Sequence, residues 1–330
     1  FSDSSRGIVV IPTDQDNLAL AAIITVALQL AVYLVACSCK FDYITDFAGG
    51  TNFVILAVVS FGLSDYNARQ IIITVLVILY GVRLAGYLLL RILKTGKDQR
   101  FDGIRENPLK FLVFFILQIF WVYIVSLTVL FVNSPSAPPV DIGPSDIVGA
   151  VLFLFGLVYE AVADQHKYMF RNNPNNRGKF IKSGLWALSR HPNYFGEICV
   201  WWGAFILSAI ILRDARWVAV TSPLFITSLL VFGSGMPTTE RSSHRKYGSD
   251  PDYQKYLQSV PPLIPWIPPL YHLSPYPLKL LFCCEFPFYQ PPEKEKGGED
   301  GVVDQQPTKQ APDETTPITS LHKQLAQSNF

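Results

Sequence analysis

Apolar and polar residues fall in long blocks along this chain, not at the two-residue period of a half-buried strand. Seven blocks are apolar: 18–36, 44–63, 70–93, 109–132, 146–163, 194–212 and 217–234. Most approach the ~20 residues a helix needs to cross the hydrocarbon of a bilayer. The second is the weakest, because Asp46, Gly49, Gly50 and Asn52 interrupt it. The first lacks a basic start and a cleavage site, so it reads as a span and not as a secretory signal. Residues 1–17 are polar and read as a loose tail. Residues 260–277 are apolar but carry prolines at 261, 262, 265, 268, 269, 275 and 277, which excludes a regular helix. That stretch is expected at the membrane interface or folded back over the bundle. From residue 291 the chain is Glu, Lys, Gln, Gly, Pro and Thr, the composition of a disordered tail. The pattern predicts an all-α fold: a polytopic membrane helix bundle over 18–290 with about seven transmembrane helices.

Composition agrees. Of 330 residues half are apolar, 16% are charged and 13% are aromatic, which is too apolar for an ordinary soluble domain. A net charge of +1 gives no electrostatic case for nucleic acid. The five cysteines show neither zinc spacing nor a disulfide framework. Cys37, Cys39, Cys283 and Cys284 follow apolar runs and read as lipid-facing. Lys and Arg set the orientation. Loop 94–110 holds Lys94, Lys97, Arg100, Arg105 and Lys110, and loop 164–193 holds Lys167, Arg171, Arg177, Lys179, Lys182 and Arg190. The segment after the seventh span holds Arg241, Arg245, Lys246 and Lys255, whereas 133–145 has no Lys or Arg. The positive-inside rule places the three basic segments, and with them the C-terminus, in the cytosol.

Polar residues also form stripes inside the apolar blocks. Tyr80, Arg83, Tyr87, Arg91 and Lys94 are spaced 3, 4, 4 and 3 and share one helix face. Arg91 and Lys94 can snorkel, but Arg83 lies about two turns deeper, where an arginine needs a partner or a cavity. Glu160, Asp164, Lys167 and Arg171 form a second stripe, which Pro174 ends. Asp164 and Lys167 fit an ordinary i,i+3 pair, which leaves Glu160 unexplained. A third stripe, Glu240, His244 and Tyr247, fits a solvated amphipathic helix when taken alone. The densest stretch is Ser-Arg190-His191-Pro-Asn193-Tyr194-Phe-Gly-Glu197, just ahead of an apolar run. Pro192 suits a first helical turn, His191 or Ser189 falls near the N-cap, and the free N–H groups there favour an anion. An aromatic belt explains Tyr194, Trp201 and Trp202 but not Glu197.

These helix ends offer Arg, Lys, His, Asn, Tyr and carboxylates to one cytosolic region. That set suits a dinucleotide: cations for phosphates, carboxylates for ribose hydroxyls, and Trp186 or a Tyr for a ring. There is no GxGxxG after a strand, so a Rossmann fold is excluded.

At these residues the chain resembles the membrane steroid 5α-reductase and sterol reductase superfamily, and within it the DUF1295 branch. The resemblance runs from about Arg83 to Pro268. It rests on Asp164-x-x-Lys167-x-x-x-Arg171, on Gly184-Leu-Trp186-x-Leu-Ser-Arg190-His-Pro-Asn193-Tyr194-x-Gly196-Glu197, and on Glu240-Arg241 through Lys246-Tyr247-Gly248 to Tyr253-x-x-Tyr256. It implies NADPH bound from the cytosolic side, with Lys167 and Arg171 on phosphate. Trp186, Asn193 and Tyr194 would hold the nicotinamide end or its ribose. Glu197, His244, Lys246, Tyr247 and Tyr256 would complete the pocket, with Asp164, Arg190, His191 and Glu240 in the same motifs. Two departures stand out: a longer Gly248–Tyr253 spacing than in sterol reductases, and no recognisable Gln-Glu pair of the kind that grips a steroid ketone. The implied activity is reduction of a conjugated C=C in a lipophilic substrate, in an intracellular membrane such as the endoplasmic reticulum. Tyr80 and Tyr87 are the candidate proton donors from their helix face, and Tyr123 is a weaker one. The alternative is an S-adenosylmethionine-dependent methyltransferase of the isoprenylcysteine or phospholipid type, which shares an Arg-His-Pro-x-Tyr element and a later Glu. Asp164, Lys167 and Arg171 favour the reductase, because a pyrophosphate needs cations and a sulfonium does not.

Overall fold

The computed structural model describes residues 14–39, 43–95, 104 and 106–289. The expected tail at 291–330, most of the one at 1–17, and Lys97, Arg100 and Arg105 of the first basic loop lie outside the described residues. Within them the chain forms α1 (Leu18–Cys39), α2 (Thr45–Gly62), α3 (Ala68–Thr95), α4 (Pro108–Val132), α5 (Pro144–Asn172) and α6 (Pro192–Ala209). A 3-10 helix at Asp214–Val220 leads into α7 (Thr221–Phe232). Then come α8 (Met236–Tyr247), α9 (Pro251–Ser259), α10 (Pro268–Leu273) and α11 (Tyr276–Cys283). No strand occurs among the described residues.

Among the described residues six runs are long and apolar enough to cross a membrane, against about seven expected: α1, α2, Ala68–Lys94, α4, α5 and the composite Asp214–Tyr247. The difference is α6, an 18-residue helix whose apolar run is diluted by Asn193 and Glu197. It nevertheless returns along α5, held by glycine. Gly149 and Gly156 on α5 meet Gly203 and Gly196 on α6. A Cβ at Gly156 would stand 2.5 Å from the Gly196 carbonyl oxygen, and one at Gly203 would stand 2.5 Å from the Phe153 nitrogen. Small residues let two backbones touch, which is how helices associate where no hydrophobic effect drives them together. The core then centres on Phe53 of α2. Its ring meets Tyr80 of α3 at 5.9 Å, Trp121 of α4 at 5.3 Å and Trp201 of α6 at 5.2 Å.

The two ends of the bundle differ. At one end Arg69 grips Asp146 through two nitrogens, at 2.5 and 2.8 Å, and also donates to the Val140 and Asp141 carbonyls. Asp16 pairs there with Arg216 at 2.7 Å and accepts from the Ser134 hydroxyl at 2.6 Å. The last residues of the stretch read as a loose tail are therefore tied down. At the other end the segment 172–191 meets α8 and α9: Tyr247 donates to the Lys179 carbonyl at 3.1 Å, and Lys182 pairs with Asp252 at 2.9 Å. Two of the three basic segments thus share one end. The proline-rich stretch folds back there, as expected. The Arg190 N–H donates to the Pro261 carbonyl at 2.8 Å, and the Trp266 N–H donates to that of Leu188 at 3.0 Å. Its prolines then break it into the short helices α10 and α11.

The glycine seam gives a direct test. A side chain at Gly156 meets backbone atoms that cannot step aside, so Gly156→Leu should destabilise the protein in detergent by about 3 kcal/mol, the upper range for overpacking. Gly62→Ala, with nothing within 4 Å of its Cβ, should leave thermal unfolding unchanged. Equal melting temperatures for Gly156→Leu and the parent would show that the seam does not hold α5 to α6.

Candidate functional site

Three clusters build the site from the membrane interior outwards. The innermost joins α3, α5 and α6. Arg83, the deep arginine of the first stripe, pairs with both Glu160 and Asp164, the latter at 2.5 Å. Asp164 is thus tied to α3, while the Lys167 ammonium lies over the Trp186 ring, 4.4 Å from its centroid, a cation–π contact. The Arg83 guanidinium also lies over the Tyr87 ring at 5.5 Å. One turn away, the buried Tyr80 hydroxyl donates to Glu197 Oε1 at 3.2 Å, and the Tyr80 ring packs on Trp201 at 5.1 Å. Trp201 lies one helical turn beyond Glu197, so α6 presents carboxylate and indole to the same tyrosine. Glu160 Oε2 is buried with no hydrogen-bond partner.

The second cluster lies around Trp186, on the 3-10 helix Gly184–Ala187. The indole N–H donates to the Ala163 carbonyl at 3.1 Å, and Tyr256 donates to the Trp186 carbonyl at 2.7 Å. Phe180 packs on Tyr247, Tyr253 and Tyr256. Burial pushes the Tyr256 hydroxyl well above its ordinary value, so it stays a donor at neutral pH. Arg171 is exposed at the end of its stripe, and Lys246 is exposed with its ammonium over Tyr247.

The third cluster surrounds Arg190. His191 is the N-cap of α6, with Pro192 at the first helical position. Its Nε2 donates to Glu240 Oε1 at 2.7 Å, and its ring stacks on Tyr194 at 5.2 Å between centroids. Arg190 reaches Glu240 Oε2 at 3.4 Å on one side and both oxygens of Glu285 at 3.0 Å on the other. Burial works against the Arg190 charge, and the two carboxylates more than offset it. His244 is fixed from both sides: Nε2 donates to the Tyr289 carbonyl at 2.5 Å, and Nδ1 accepts from Tyr253 at 3.2 Å. A cavity of about 430 Å³ opens beside Arg190 and His244, walled by α9, α10 and α11. Asn193 Oδ1, on the first turn of α6, is buried and has no hydrogen-bond partner among the described residues.

Residues 32–260 match the family described as "Protein of unknown function (DUF1295)". The chain belongs to the DUF1295 family. This DUF1295 protein is also similar to the Delta(14)-sterol reductase ERG24A of Gibberella zeae, 30% identical over 185 residues, which is 43% of this chain and 37% of the relative. It is 31% identical over 65 residues to the Delta(14)-sterol reductase of Arabidopsis thaliana, 17% of this chain and 18% of that one. A 46-residue stretch, 14% of this chain and 16% of the relative, is 46% identical to the probable O-methyltransferase ustE of Ustilaginoidea virens. The chain thus covers well under two thirds of the length of these relatives. No solved structure matches it.

The fold brings together most of the motif residues of the DUF1295 protein but divides them. Asp164 and Glu197 face inward to Arg83 and Tyr80, while Arg190, His191, Glu240 and His244 form one network and Lys167, Trp186 and Tyr256 another. Arg171 stands exposed at the end of its stripe, and Lys246 meets the second cluster only through the Tyr247 ring. Glu285 and Tyr271 were not expected in the network; Tyr271 donates to Glu285 Oε2. They lie beyond the matched family region, and the one sequence signal was an acidic residue directly after two cysteines in an apolar run.

Two tests follow from the clusters. Arg83→Met strands two buried carboxylates and should cost about 3–5 kcal/mol of stability. Adding Glu160→Gln and Asp164→Asn should restore most of it, and a triple variant as unstable as the single one would count against Arg83 as the shared partner. The second test is pH. Burial holds the His191 imidazole below its ordinary value, despite Glu240. The folded protein therefore keeps it neutral where the unfolded chain takes up a proton, and stability falls as pH drops through about 6.5. Melting curves from about pH 7.5 to about 5.5 should be flatter for His191→Gln, and an unchanged slope would exclude His191 as the source.

Proposed function

We propose that this protein is an NADPH-dependent membrane reductase acting on a conjugated C=C bond of a lipophilic, sterol- or lipid-like substrate. The observation that carries the reading is α6 itself. Arg190 and the N-cap His191 lead into it, Asn193 and Tyr194 lie on its first turn, and one turn further in its Glu197 accepts from Tyr80. The likeness to two Delta(14)-sterol reductases supports it. The residues also fit the cofactor. Lys167 and Arg171 would meet phosphate, and the buried, unpartnered Asn193 Oδ1 calls for an N–H donor such as a carboxamide. Trp186, Tyr194, Tyr247 and Tyr256, with His244 and Lys246 beside them, would line the rest. The bound cofactor would supply hydride.

The chain's own part would be the proton. The Tyr80 hydroxyl would donate to the second carbon of the double bond, and Glu197 would hold and restore that proton. Tyr87, beneath Arg83, is the alternative donor. The substrate would enter from the bilayer, with the cofactor end and C-terminus cytosolic. The match to a probable O-methyltransferase supports the second reading, methyl transfer from S-adenosylmethionine.

Cofactor titration separates the two. The purified protein should bind NADPH, and Lys167→Ala or Arg171→Ala should weaken binding about tenfold by removing a charge-assisted contact. Arg171→Lys should recover only part, because an ammonium cannot make the bidentate contact. S-adenosylmethionine affinity should be absent. A parent protein that binds S-adenosylmethionine and ignores NADPH, with Arg171→Ala unaffected, overturns the reductase reading.

A further inference from the structure

We propose that Glu285 is an internal, displaceable anion occupying a phosphate site on Arg190. This rests in part on the dinucleotide reading above, which supplies the phosphate. The observations are geometric. Arg190 is buried and oversubscribed, with one guanidinium facing two carboxylates, Glu240 and Glu285. The two differ in what else holds them. Glu240 lies on α8 inside the matched family region and also accepts from His191, with His244 Nε2 3.7 Å from its other oxygen. Glu285 follows α11, beyond that region, on a strap of two short helices broken by prolines, and its second partner, the Tyr271 hydroxyl, lies on the same strap.

The Arg190–Glu285 contact is also poorly matched. Both carboxylate oxygens fall on the same nitrogen, Nη2, at 3.0 Å, while the buried Nε has no partner. A guanidinium binds an oxyanion best through two parallel N–H groups. Here the Nε–Nη2 edge that would form such a fork is half used. A tetrahedral phosphate taking both nitrogens would satisfy the orphaned Nε and relieve the surplus carboxylate in one move. There is room and charge for it. The cavity of about 430 Å³ that Glu285 lines together with Arg190 is also lined by His244, His272, Tyr271 and Lys279. The Lys279 ammonium now rests over the Tyr271 ring at 4.7 Å. Glu285 is thus placed as a stand-in ligand, and the α10–α11 strap it carries is placed to loosen when a phosphate replaces it.

Inorganic pyrophosphate is the first probe, on the full chain in detergent. Glu285→Gln keeps the shape and removes the competing charge, so it should bind pyrophosphate about tenfold tighter than the parent, and NADPH should follow. In the parent, saturating pyrophosphate should reduce hydrogen-exchange protection over 276–285, a readout that needs no substitution. Unchanged or weaker pyrophosphate binding in Glu285→Gln, or full protection of the strap with pyrophosphate bound, overturns the proposal. Tighter pyrophosphate binding with no NADPH binding by either protein leaves the anion site standing and overturns the dinucleotide reading instead.

Discussion

A single guanidinium inside the bundle, that of Arg83, sets the terms for the rest. An arginine at this depth is tolerable only with partners, because hydrocarbon offers no water to replace them. Glu160 and Asp164 are those partners, one turn apart on α5, and they fix the rotation and the height of α5 against α3. Fixing α5 fixes α6 through the glycine seam, where backbone touches backbone and no side chain can absorb a shift. Glu197 then arrives at Tyr80 as a consequence of two rigid contacts. The position of the site is set by ion pairing and close packing more than by burial of apolar surface, which lipid would satisfy equally well.

The polar beginning of α6 follows from the same constraint. A helix that lies against glycine is shielded along one face by its neighbour's backbone. Asn193 and Glu197 at its start are only partly exposed, and Tyr80 of α3 covers the Glu197 carboxylate. The aromatic centre around Phe53 closes the opposite side, with one ring from each of α2, α3, α4 and α6.

Much of this was legible in the sequence because membrane helices leave little freedom of interpretation. Apolar length gave the spans, and the 3–4 spacing of Tyr80, Arg83, Tyr87 and Arg91 gave the polar face of α3. What spacing along one helix could not give was the choice of partner on another. Asp164 and Lys167 fit an i,i+3 pair on paper, yet Arg83 takes the carboxylate and Trp186 the ammonium. The seven-residue repeat of Gly149 and Gly156, mirrored by Gly196 and Gly203, was present in the sequence and would have predicted the α5–α6 seam. Glu285 was out of reach for a different reason. Its partner is 95 residues away, and it lies on a segment whose prolines erase any periodic signal. The Asp16–Arg216 pair, 200 residues apart, was hidden in the same way.

Hydrogen-bonding supply sharpens what the interior can do. In the inner cluster one cation and one phenol serve three carboxylates, and Glu160 Oε2 remains buried with no donor among the described residues. The outer cluster shows the reverse defect beside its crowded carboxylates, since Arg190 Nε donates to nothing and Asn193 Oδ1 accepts from nothing. Unmet groups of opposite kind, within a few residues at the start of α6, are costly unless something that both donates and accepts completes them. A molecule with a carboxamide at one end and phosphates further along could serve the Asn193 acceptor and the Arg190 donor together. A ligand that completes these groups must offer a donor to Asn193 and an acceptor to Arg190.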